Sequence, residues 1–342
     1  GERLFWSGSA GGYLAYRGRI EEFSDWLGDT MTRGATTDVV MLGDGRAPHA
    51  AAIRVIKRHG FDVRIWIVEH GYLRPDLILI EPDGMGGGST IPQQQVGQAP
   101  ETHAGPRWKG SFFRYAALDV AYHLSNVVFS KLSYPHYQAH SGIHPFAEYA
   151  GWVRKLARGP GRRKQQEQTI SQIEKHEGPL FLFPLQLSQD FQLTKYGTGE
   201  PQAKVLKRIL ASFLAHAPTD AMLVVKVHPL DNGRTNWPEH VAFGGTRVLY
   251  LDGGDLDGLL SRASGVVTVN STVGLTALQH GVPTLALGKA IYKAAGLTDA
   301  QSLDAFWKEP QMPDNARVDA FCQLLRFGFH VSGTFDGPGA VI

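Results

Sequence analysis

Residues 265–278 read GVVTVNSTVGLTAL and predict a buried strand that runs directly into a helix. A run of β-branched residues is typical of a strand inside a parallel sheet, and the end of the stretch contains good helix formers. Asn270, Ser271 and Thr272 stand at the junction, where short polar side chains favour a helix N-cap, and Gly274 leaves the first turn without a side chain. The junction therefore predicts either an ordinary capped helix or an anion site made by the helix dipole and free backbone N–H groups.

Two further predicted strands end in polar residues whose side chains could act in catalysis or bind a ligand. The segment FLFPLQLSQD, residues 181–190, finishes at Asp190, and LVVKVHP, residues 223–229, carries Lys226 and His228 near its end. Because the carboxyl ends of an open parallel sheet meet in one crevice, we expect these residues to lie near the strand–helix junction. His228 is interpreted either as a hydrogen-bond donor to a phosphate or as an ordinary loop histidine.

The composition defines the class of protein. With 342 residues the chain is long enough for two domains or one large one, and its net charge of +2 does not favour nucleic acid as a partner. The single cysteine, Cys322, argues against a disulfide framework and a cysteine-based metal site, as expected in a reducing cytoplasm. The first residues do not resemble a signal peptide and no run of about 18 apolar residues occurs, so we expect any membrane association to be peripheral.

The first half of the chain predicts a doubly wound, parallel half-sheet. Strands are expected at residues 4–6, 38–42 and 63–68, with helices at 20–31 and 48–59, which gives a β-α-β-α-β order. The loops after these strands carry polar residues on the expected ligand side, namely Asp44, Arg46, His49, Glu69 and Arg74.

Three segments separate the two halves. The glycine-dense residues 85–89 are interpreted as a mobile loop over a site or as a surface loop. Residues 112–132 predict a long, well-buried helix, because apolar residues occupy most of its faces. The basic residues 154–164 are interpreted as a solvated linker that could also face anionic lipid. Since the composition changes there, we place the domain boundary at residue 170, with domains 1–170 and 171–342 and the option that the last helix crosses back.

The second half repeats the α/β pattern, with strands expected at residues 180–184, 222–227, 248–251, 266–269 and 284–287. Two Rossmann-like halves whose parallel sheets face each other across a cleft make the GT-B architecture, the commonest plan of nucleotide-sugar transferases. The sequence therefore predicts an α/β protein of GT-B type, although a fold alone does not assign a function.

Two carboxylates could act on a sugar. Asp190 belongs to the second half and Glu69 to a strand end of the first, so a closed cleft would place them on opposite sides of the sugar. Paired carboxylates serve as nucleophile and as general acid or base at an anomeric carbon. For each residue alone, a helix cap or a surface carboxylate is the alternative interpretation.

Several longer motifs occur in order along nearly the whole chain. They are YRGRIEEFSDWL at residues 16–27, GDGRAPHAAAI at 43–53, VEHGYLRPDLILIEPDG at 68–84, FPLQLSQDFQL at 183–193, VKVHPLDNG at 225–233 and the segment at 270–299 that begins NSTVGLTAL. Together they resemble the bacterial capsule polysaccharide synthesis family, most closely its KpsS type, with KpsC as a more distant relative.

The resemblance implies an activity and a set of residue roles. It implies a retaining β-Kdo glycosyltransferase that uses CMP-β-Kdo and starts or extends a poly-Kdo linker on phosphatidylglycerol or its lyso form. It implies that Asp190 is the catalytic aspartate and Glu69 the acid/base, with His228, Ser271 and Thr272 at the CMP phosphate. The predicted donor-binding residues also include Lys226, Asn270 and Gln186. The predicted substrate-binding residues are Asp44, Arg46, His49 and Arg74.

No metal or other cofactor is expected, because fixed hydrogen-bond donors can neutralise the charge that develops on the phosphate. Arg46, Arg74 or Lys226 could bind the carboxylate of Kdo, and the sequence does not choose among them. The expected partners are CMP-Kdo, a phosphatidylglycerol-type lipid, an anionic membrane surface and other capsule assembly proteins, but not nucleic acid. The expected location is the cytoplasmic face of the bacterial inner membrane.

Two alternative functions stay open. One is a transferase for another CMP-linked ulosonic acid, such as sialic acid, because the phosphate chemistry is the same. The other is a non-catalytic capsule export protein that binds polysaccharide on a GT-B scaffold. Release of CMP from CMP-Kdo would separate an enzyme from a binding protein.

Overall fold

The computed structural model describes residues 14–91, parts of 117–136, and residues 145–157, 159–294 and 296–335. The helices are α1 Phe23–Gly34, α2 Ala47–His59, α3 Pro145–Ala157, α4 Gly159–Lys175, α5 Phe191–Tyr196, α6 Gln202–His216, α7 Trp237–Ala242, α8 Leu256–Leu260, α9 Thr272–Gln279, α10 Leu303–Phe306 and α11 Asn315–Gly328. The strands are β1 Asp38–Leu42, β2 Arg64–His70, β3 Leu77–Pro82, β4 Leu180–Pro184, β5 Met222–Lys226, β6 Val248–Leu251, β7 Gly265–Thr268, β8 Thr284–Ala286 and β9 His330–Ser332. The strand predicted at residues 4–6 lies outside the described residues.

The chain forms two compact units. The first contains the described parts of residues 1–85, 102–148 and 330–342, and the second contains those of residues 86–101 and 149–329. Each unit has its own β-sheet, which confirms the predicted α/β class.

The sheet of the first unit is mixed, with strand order β1-β2-β3-β9. β1 and β2 are parallel and α2 crosses over between them, as the sequence predicts. β3 is antiparallel to β2, and β9 is antiparallel to β3. The prediction of a wholly parallel half-sheet is wrong here, because residues 71–76 are too few for the crossover of about a dozen residues that a parallel connection requires.

The sheet of the second unit is parallel throughout, with strand order β6-β5-β4-β7-β8. All residues of β4 and β7 are buried, which explains why these strands read as continuous apolar runs. On one face Phe181 of β4 packs edge-on against Phe213 of α6 and Trp307, which follows α10. This core holds the carboxyl ends of the strands in fixed positions.

The boundary between the units differs from the one predicted at residue 170. Helices α3 and α4 belong to the second unit from Tyr149 onward. Arg162 of α4 forms an ion pair with Asp252 at the end of β6, and Lys155 of α3 donates hydrogen bonds to the carbonyls of Pro229 and Asp231. The basic segment is therefore helical and packed against the second sheet, which corrects its interpretation as a linker.

The chain returns to the first unit after α11. That helix belongs to the second unit, whereas β9, which follows it, pairs with β3 of the first. The element that crosses back is therefore a strand and not the last helix.

The glycine-dense segment is packed against α5. Gly86–Gly88 forms a short 3₁₀ helix, and the N–H of Gly87 donates a 3.2 Å hydrogen bond to Oε1 of Gln192. A Cβ added at Gly87 would overlap Cβ and Cγ of Tyr196, so glycine is required by this close approach. Gly88 is exposed and Gly86 and Gly87 are half-buried, in agreement with the surface-loop interpretation, whereas the interpretation as a mobile loop over a site stays a prediction.

The predicted helix at residues 112–132 is only partly described, and its described residues between 117 and 129 are helical. Val120, Leu124 and Phe129 are each about half exposed, at 47%, 56% and 50%. The expected complete burial is wrong for these three side chains, because no described residue covers them. No helix among the described residues combines the length and apolarity needed to cross a bilayer.

Candidate functional site

Three strand ends of the second unit lie side by side at one edge of the sheet. The sheet order places β4 between β5 and β7, so Gln186, His228 and Asn270 follow neighbouring strands. The backbone N–H of Leu185 also donates to the carbonyl of Lys226, which fixes the chain beyond β4 against the end of β5. The structure thus brings together the strand ends that the sequence analysis selected.

Gln186 and Asn270 are joined directly through their side chains. Nε2 of Gln186 donates to Oδ1 of Asn270 at 2.9 Å, and the backbone N–H of Asn270 donates to Oε1 of Gln186 at 3.3 Å. Gln186 is only 5% exposed, and its backbone exchanges two hydrogen bonds with the amide of Gln202. We therefore assign to this amide pair the role of fixing the ends of β4 and β7, whereas donor contact by the same residues stays a prediction.

Asp190 is connected to the same network. It is the N-cap of α5, and its Oδ1 accepts a 2.8 Å hydrogen bond from the N–H of Gln192. The carbonyl of Gln192 in turn accepts from Nδ2 of Asn270 at 2.7 Å. Among the described residues no group donates to Oδ2 of Asp190, so one carboxylate oxygen holds the helix and the other remains available.

The strand–helix junction forms a capped helix. Ser271 is the N-cap of α9 and accepts from the N–H of Val273 at 3.2 Å, while Thr272 begins the helix. The carbonyl of Ser271 accepts from the hydroxyl of Tyr292, whose pKa is raised by burial, so this hydroxyl stays a donor. A Cβ at Gly274 would overlap the ring of Tyr292. Gly274 therefore makes room for a tyrosine below the helix and not for a ligand.

Lys226 and His228 are both fixed at the end of β5. Lys226 is 7% exposed, and its Nζ donates to the carbonyl of Gly253. Burial lowers the pKa of Lys226, an effect that the nearby carboxylates of Asp252 and Asp255 oppose. Nδ1 of His228 accepts a 3.1 Å hydrogen bond from the N–H of Leu230, so in the neutral ring the proton lies on Nε2. His228 can therefore donate from Nε2.

In the first unit, Glu69 and His49 lie on either side of Gly43. Oε1 of Glu69 accepts from the N–H of His70 at 3.0 Å, and Oε2 lies 3.0 Å from where a Cβ on Gly43 would be. Nδ1 of His49 is 2.8 Å from the carbonyl of Gly43 and donates to it, because a carbonyl only accepts. Burial lowers the pKa of His49, which favours the neutral ring. The cluster therefore brings the side chains of Glu69 and His49 to the same glycine.

The other predicted residues of the first unit occupy different environments. Asp44 is buried, with 2% exposure, and follows Gly43 at the end of β1. Arg46 occupies the N-cap position of α2 in an extended conformation. Arg74 is exposed in the turn between β2 and β3, where its Nε donates to the carbonyl of Gly71 at 3.5 Å. Of the three candidates for the Kdo carboxylate, Lys226 is already engaged with the protein, whereas Arg74 is exposed.

Sequence reasoning missed three residues that hold the site together, namely Gln192, Gln202 and Tyr292. Gln192 bridges Asp190 and Asn270, Gln202 pairs with Gln186, and Tyr292 supports the first turn of α9. Only Gln192 had a local signal, because a residue two places after a helix N-cap supplies the capped N–H. The described residues contain no group of three or more histidine, cysteine or acidic side chains placed to hold a metal ion.

Comparison with known proteins identifies the family. The family model described as capsule polysaccharide biosynthesis protein matches residues 37–335. The chain belongs to this family. The match takes in residues of both units, including every candidate site residue named in this subsection.

Among the relatives of this capsule biosynthesis protein are two curated proteins. The capsule polysaccharide modification protein LipB of Neisseria meningitidis serogroup A is 28% identical, over 98% of this chain and 83% of LipB. The capsule polysaccharide export protein KpsS of Escherichia coli is 29% identical, over 88% of this chain and 80% of KpsS. A solved structure titled Thermosulfurimonas dismutans KpsC, beta Kdo 2,7 transferase, aligns with 90% of this chain and 80% of its own at 14% identity and a TM-score of 0.44. The predicted membership of the capsule family is confirmed.

Proposed function

We propose that the protein is a retaining glycosyltransferase of GT-B type that moves β-Kdo from CMP-β-Kdo to phosphatidylglycerol or its lyso form. The observation that carries this proposal is the hydrogen-bonded network that joins Asp190 to the end of β7 through Gln192 and Asn270. It places a carboxylate with one available oxygen in the same cluster as the capped N-terminus of α9. Membership of the capsule biosynthesis family supports the substrate class.

In the first step, Oδ2 of Asp190 attacks the anomeric carbon of Kdo while the bond from that carbon to the CMP phosphate oxygen breaks. The electron pair leaves with CMP, and the sugar is held as an ester of Asp190. In the second step, an acceptor hydroxyl attacks the same carbon and its proton passes to Glu69. Asp190 leaves as a carboxylate. Two inversions give overall retention.

The leaving phosphate requires stabilisation of its negative charge. The N–H groups of Val273 and Gly274 are used within the cap of α9, so the helix end is proposed to act through its dipole and the hydroxyls of Ser271 and Thr272. His228 is proposed to donate to the phosphate from Nε2. These fixed donors suit a metal-independent reaction. Oriented donors also need no rearrangement during the reaction, which favours catalysis.

A lipid acceptor requires contact with a membrane surface. Arg163 and Lys164 of α4 are exposed, whereas Arg162 of the same helix is paired with Asp252. We infer that the exposed basic side chains attach the protein peripherally to anionic lipid on the cytoplasmic face of the inner membrane.

The decisive experiment incubates the full chain with CMP-Kdo and phosphatidylglycerol vesicles and follows CMP release and lipid mass. The expected result is stoichiometric CMP and a lipid heavier by one or more Kdo residues, with no requirement for added divalent metal. A parallel reaction with CMP-sialic acid tests the alternative donor. The name of KpsS as an export protein favours one second candidate, a polysaccharide-binding role. Binding of capsule polysaccharide without any CMP release would support that candidate and contradict the transferase.

A further inference from the structure

A second cavity lies in the second unit, between the ends of β5 and β6 and the helices α3 and α4. Its volume is about 380 Å³, which is within the range of small-molecule sites. The walls come from the helices, from residues 231–236 after β5 and from Tyr250 and Asp252 of the β6 end. β7, which leads into α9, is three places from β6 in the sheet, or roughly 14 Å. The cavity is therefore separate from the capped helix end assigned to the CMP phosphate.

The floor of the cavity is built from a partly buried charge network. Nη2 of Arg162 is 2.6 Å from Oδ2 of Asp252, and Nζ of Lys155 is 3.8 Å from Oδ1 of the same carboxylate. The Lys155 and Asp252 side chains are only 9% and 14% exposed. Nζ of Lys155 also donates to the carbonyl of Asp231, so these contacts hold α3 and α4 against the loop after β5. Such a floor keeps its shape without a ligand.

The rim of the cavity carries two further cations. Arg154 of α3 and Arg234 of the loop line the cavity, and both are exposed. Among the described residues neither guanidinium is bonded to another side chain. The lining has four cations, Arg154, Lys155, Arg162 and Arg234, and two carboxylates, Asp231 and Asp252. Since both carboxylates already accept hydrogen bonds from protein groups, the two rim guanidiniums are the groups that a ligand would meet.

The remaining walls suit a ligand with many hydroxyl groups. They include residues with side-chain amides, such as Gln165 and Asn232, and the described residues that line the cavity include no leucine, isoleucine, valine, methionine or phenylalanine. Tyr250 adds one aromatic residue to the lining. Small-molecule pockets are usually mostly apolar, so a wall of amides and charges indicates a polar, hydroxylated ligand. The two exposed guanidiniums of the lining add a preference for a carboxylate or phosphate.

We propose that this cavity is a second ligand site that binds one carboxylated monosaccharide unit, with its carboxylate on Arg154 and Arg234 and its hydroxyls on the amide walls. The proposed sugar-acid site does not depend on the transferase assignment, because none of its lining residues is proposed to bind CMP-Kdo or to act in the transfer reaction. Its ligand would be a free sugar acid or an acidic residue of a saccharide chain. Because the loop after β5 also contains His228, a ligand there would contact the same loop that serves the CMP site.

The test measures binding of free Kdo to the full chain by calorimetry or saturation-transfer NMR, in the presence of saturating CMP. The matched probe is the methyl ester of Kdo, which keeps every hydroxyl and loses the charge, and inorganic phosphate is the second probe. We expect Kdo to bind with CMP present and the ester to bind at least roughly tenfold more weakly. We expect an excess of phosphate not to displace Kdo, since it lacks the hydroxyls that the amide walls would hold.

Two variants locate the site. The double variant Arg154→Gln/Arg234→Gln removes both charges, and Gln165→Trp fills the cavity from an exposed position while leaving every charge in place. Both should lose Kdo binding by at least roughly tenfold with CMP affinity and melting temperature unchanged. Displacement of Kdo by CMP, wild-type Kdo affinity in Gln165→Trp, equal binding of the ester, or displacement by phosphate would each overturn the proposal. None of these results depends on sugar transfer, so a failure of the transferase assignment would be distinguishable.

Discussion

In the proposed mechanism Asp190 combines two tasks, capping α5 and attacking the sugar. Its Oδ1 caps α5, a contact typically worth about 1 kcal/mol, and its Oδ2 remains available. Asparagine caps helices as well as aspartate does. Asp190→Asn should therefore keep the fold and CMP affinity but abolish sugar transfer, because an amide cannot form the glycosyl ester. Mass spectrometry of intact Glu69→Gln protein incubated with CMP-Kdo should show a Kdo adduct that maps to Asp190.

The matched control is Asp314→Asn, which changes the N-cap carboxylate of α11 in the same way. It should transfer sugar at the wild-type rate. Wild-type transfer by Asp190→Asn, or an adduct on another residue, would refute the nucleophile assignment.

His228 accepts a hydrogen bond from the N–H of Leu230 through Nδ1, and its proposed contact with the CMP phosphate is through Nε2. In His228→Asn the amide oxygen can still accept from the N–H of Leu230, but no side-chain atom reaches the position of Nε2. His228→Ala loses both the acceptor and the donor. We expect His228→Asn and His228→Ala to weaken CMP binding alike, by about 1.5–3 kcal/mol, because the lost donor serves a charged phosphate. Calorimetry with CMP measures this. If His228→Asn binds CMP as tightly as the wild type, the histidine only shapes its loop.

His49 should make the stability of the first unit depend on pH. Burial lowers the pKa of His49 in the folded protein, whereas the unfolded chain titrates at about 6.5. Below that pH the unfolded state binds a proton that the folded state does not, so the free energy of unfolding decreases as the pH falls. His49→Asn keeps a donor to the carbonyl of Gly43 but does not titrate. Urea unfolding between pH 7.5 and 5.5 should show a smaller loss of stability in His49→Asn, and parallel curves would contradict this prediction.

At the scale of elements, the contact between the glycine segment and α5 decides how firmly Asp190 is held. A methyl group at Gly87 meets Cβ and Cγ of Tyr196, which are held close to the backbone, whereas one at Gly88 meets the hydroxyl end of the same side chain, which is farthest from the backbone. Gly87→Ala should lower the free energy of unfolding by about 1–3 kcal/mol through overpacking, and Gly88→Ala by less. Denaturant titration compares the two. Equal changes in the free energy of unfolding would show that the segment can shift to accommodate a methyl group at Gly87, and would contradict this prediction.

Elements with a continuous local pattern could be predicted from the sequence. The β7–α9 junction and its Ser271 cap follow from a valine run and a short polar sequence, and both are present. The function of Gly274 could not be derived in this way, because Tyr292 beneath it lies far along the chain. The expected parallel half-sheet fails at β3, because strand residues look alike in either orientation and only the short connection at residues 71–76 decides the direction.

The candidate site also has some features that the local sequence predicts and others that depend on contacts between distant segments. Strand-end residues such as Asp190 and His228 could be selected because polar groups stand out after apolar runs. The reciprocal amide bonds of Gln186 with Asn270 and Gln202 depend on how distant segments meet, and no spacing in the sequence encodes them. The ion pair of Arg162 with Asp252 is another contact between distant segments. It helps to hold the basic segment, which the sequence analysis interprets as a linker, as a packed helix.

At the scale of the whole molecule, membrane attachment should depend on the outer face of α4. Each basic residue near an anionic surface contributes about 1 kcal/mol, so Arg163→Gln/Lys164→Gln should weaken binding to phosphatidylglycerol vesicles by about 2 kcal/mol. Salt should weaken binding of the wild type more steeply than that of the variant. Vesicle co-sedimentation measures both effects.

The control for that experiment is Lys207→Gln/Lys308→Gln, which removes the same charge from exposed positions elsewhere in the second unit. It should bind vesicles like the wild type. Equal losses in the two double variants would show that net charge, and not this helix face, drives attachment.

The pairing of β9 with β3 sets the order in which a newly made chain can finish folding. The ribosome releases β1, β2 and β3 early, but the strand that covers the edge of β3 emerges only after the entire second unit. Nε2 of His330, at the start of β9, accepts a hydrogen bond from the N–H of Tyr72. This buried contact in the first unit therefore also forms only after β9 has been synthesised. The first unit thus begins synthesis first and is completed last, and until then its β3 edge is open to pairing with another chain.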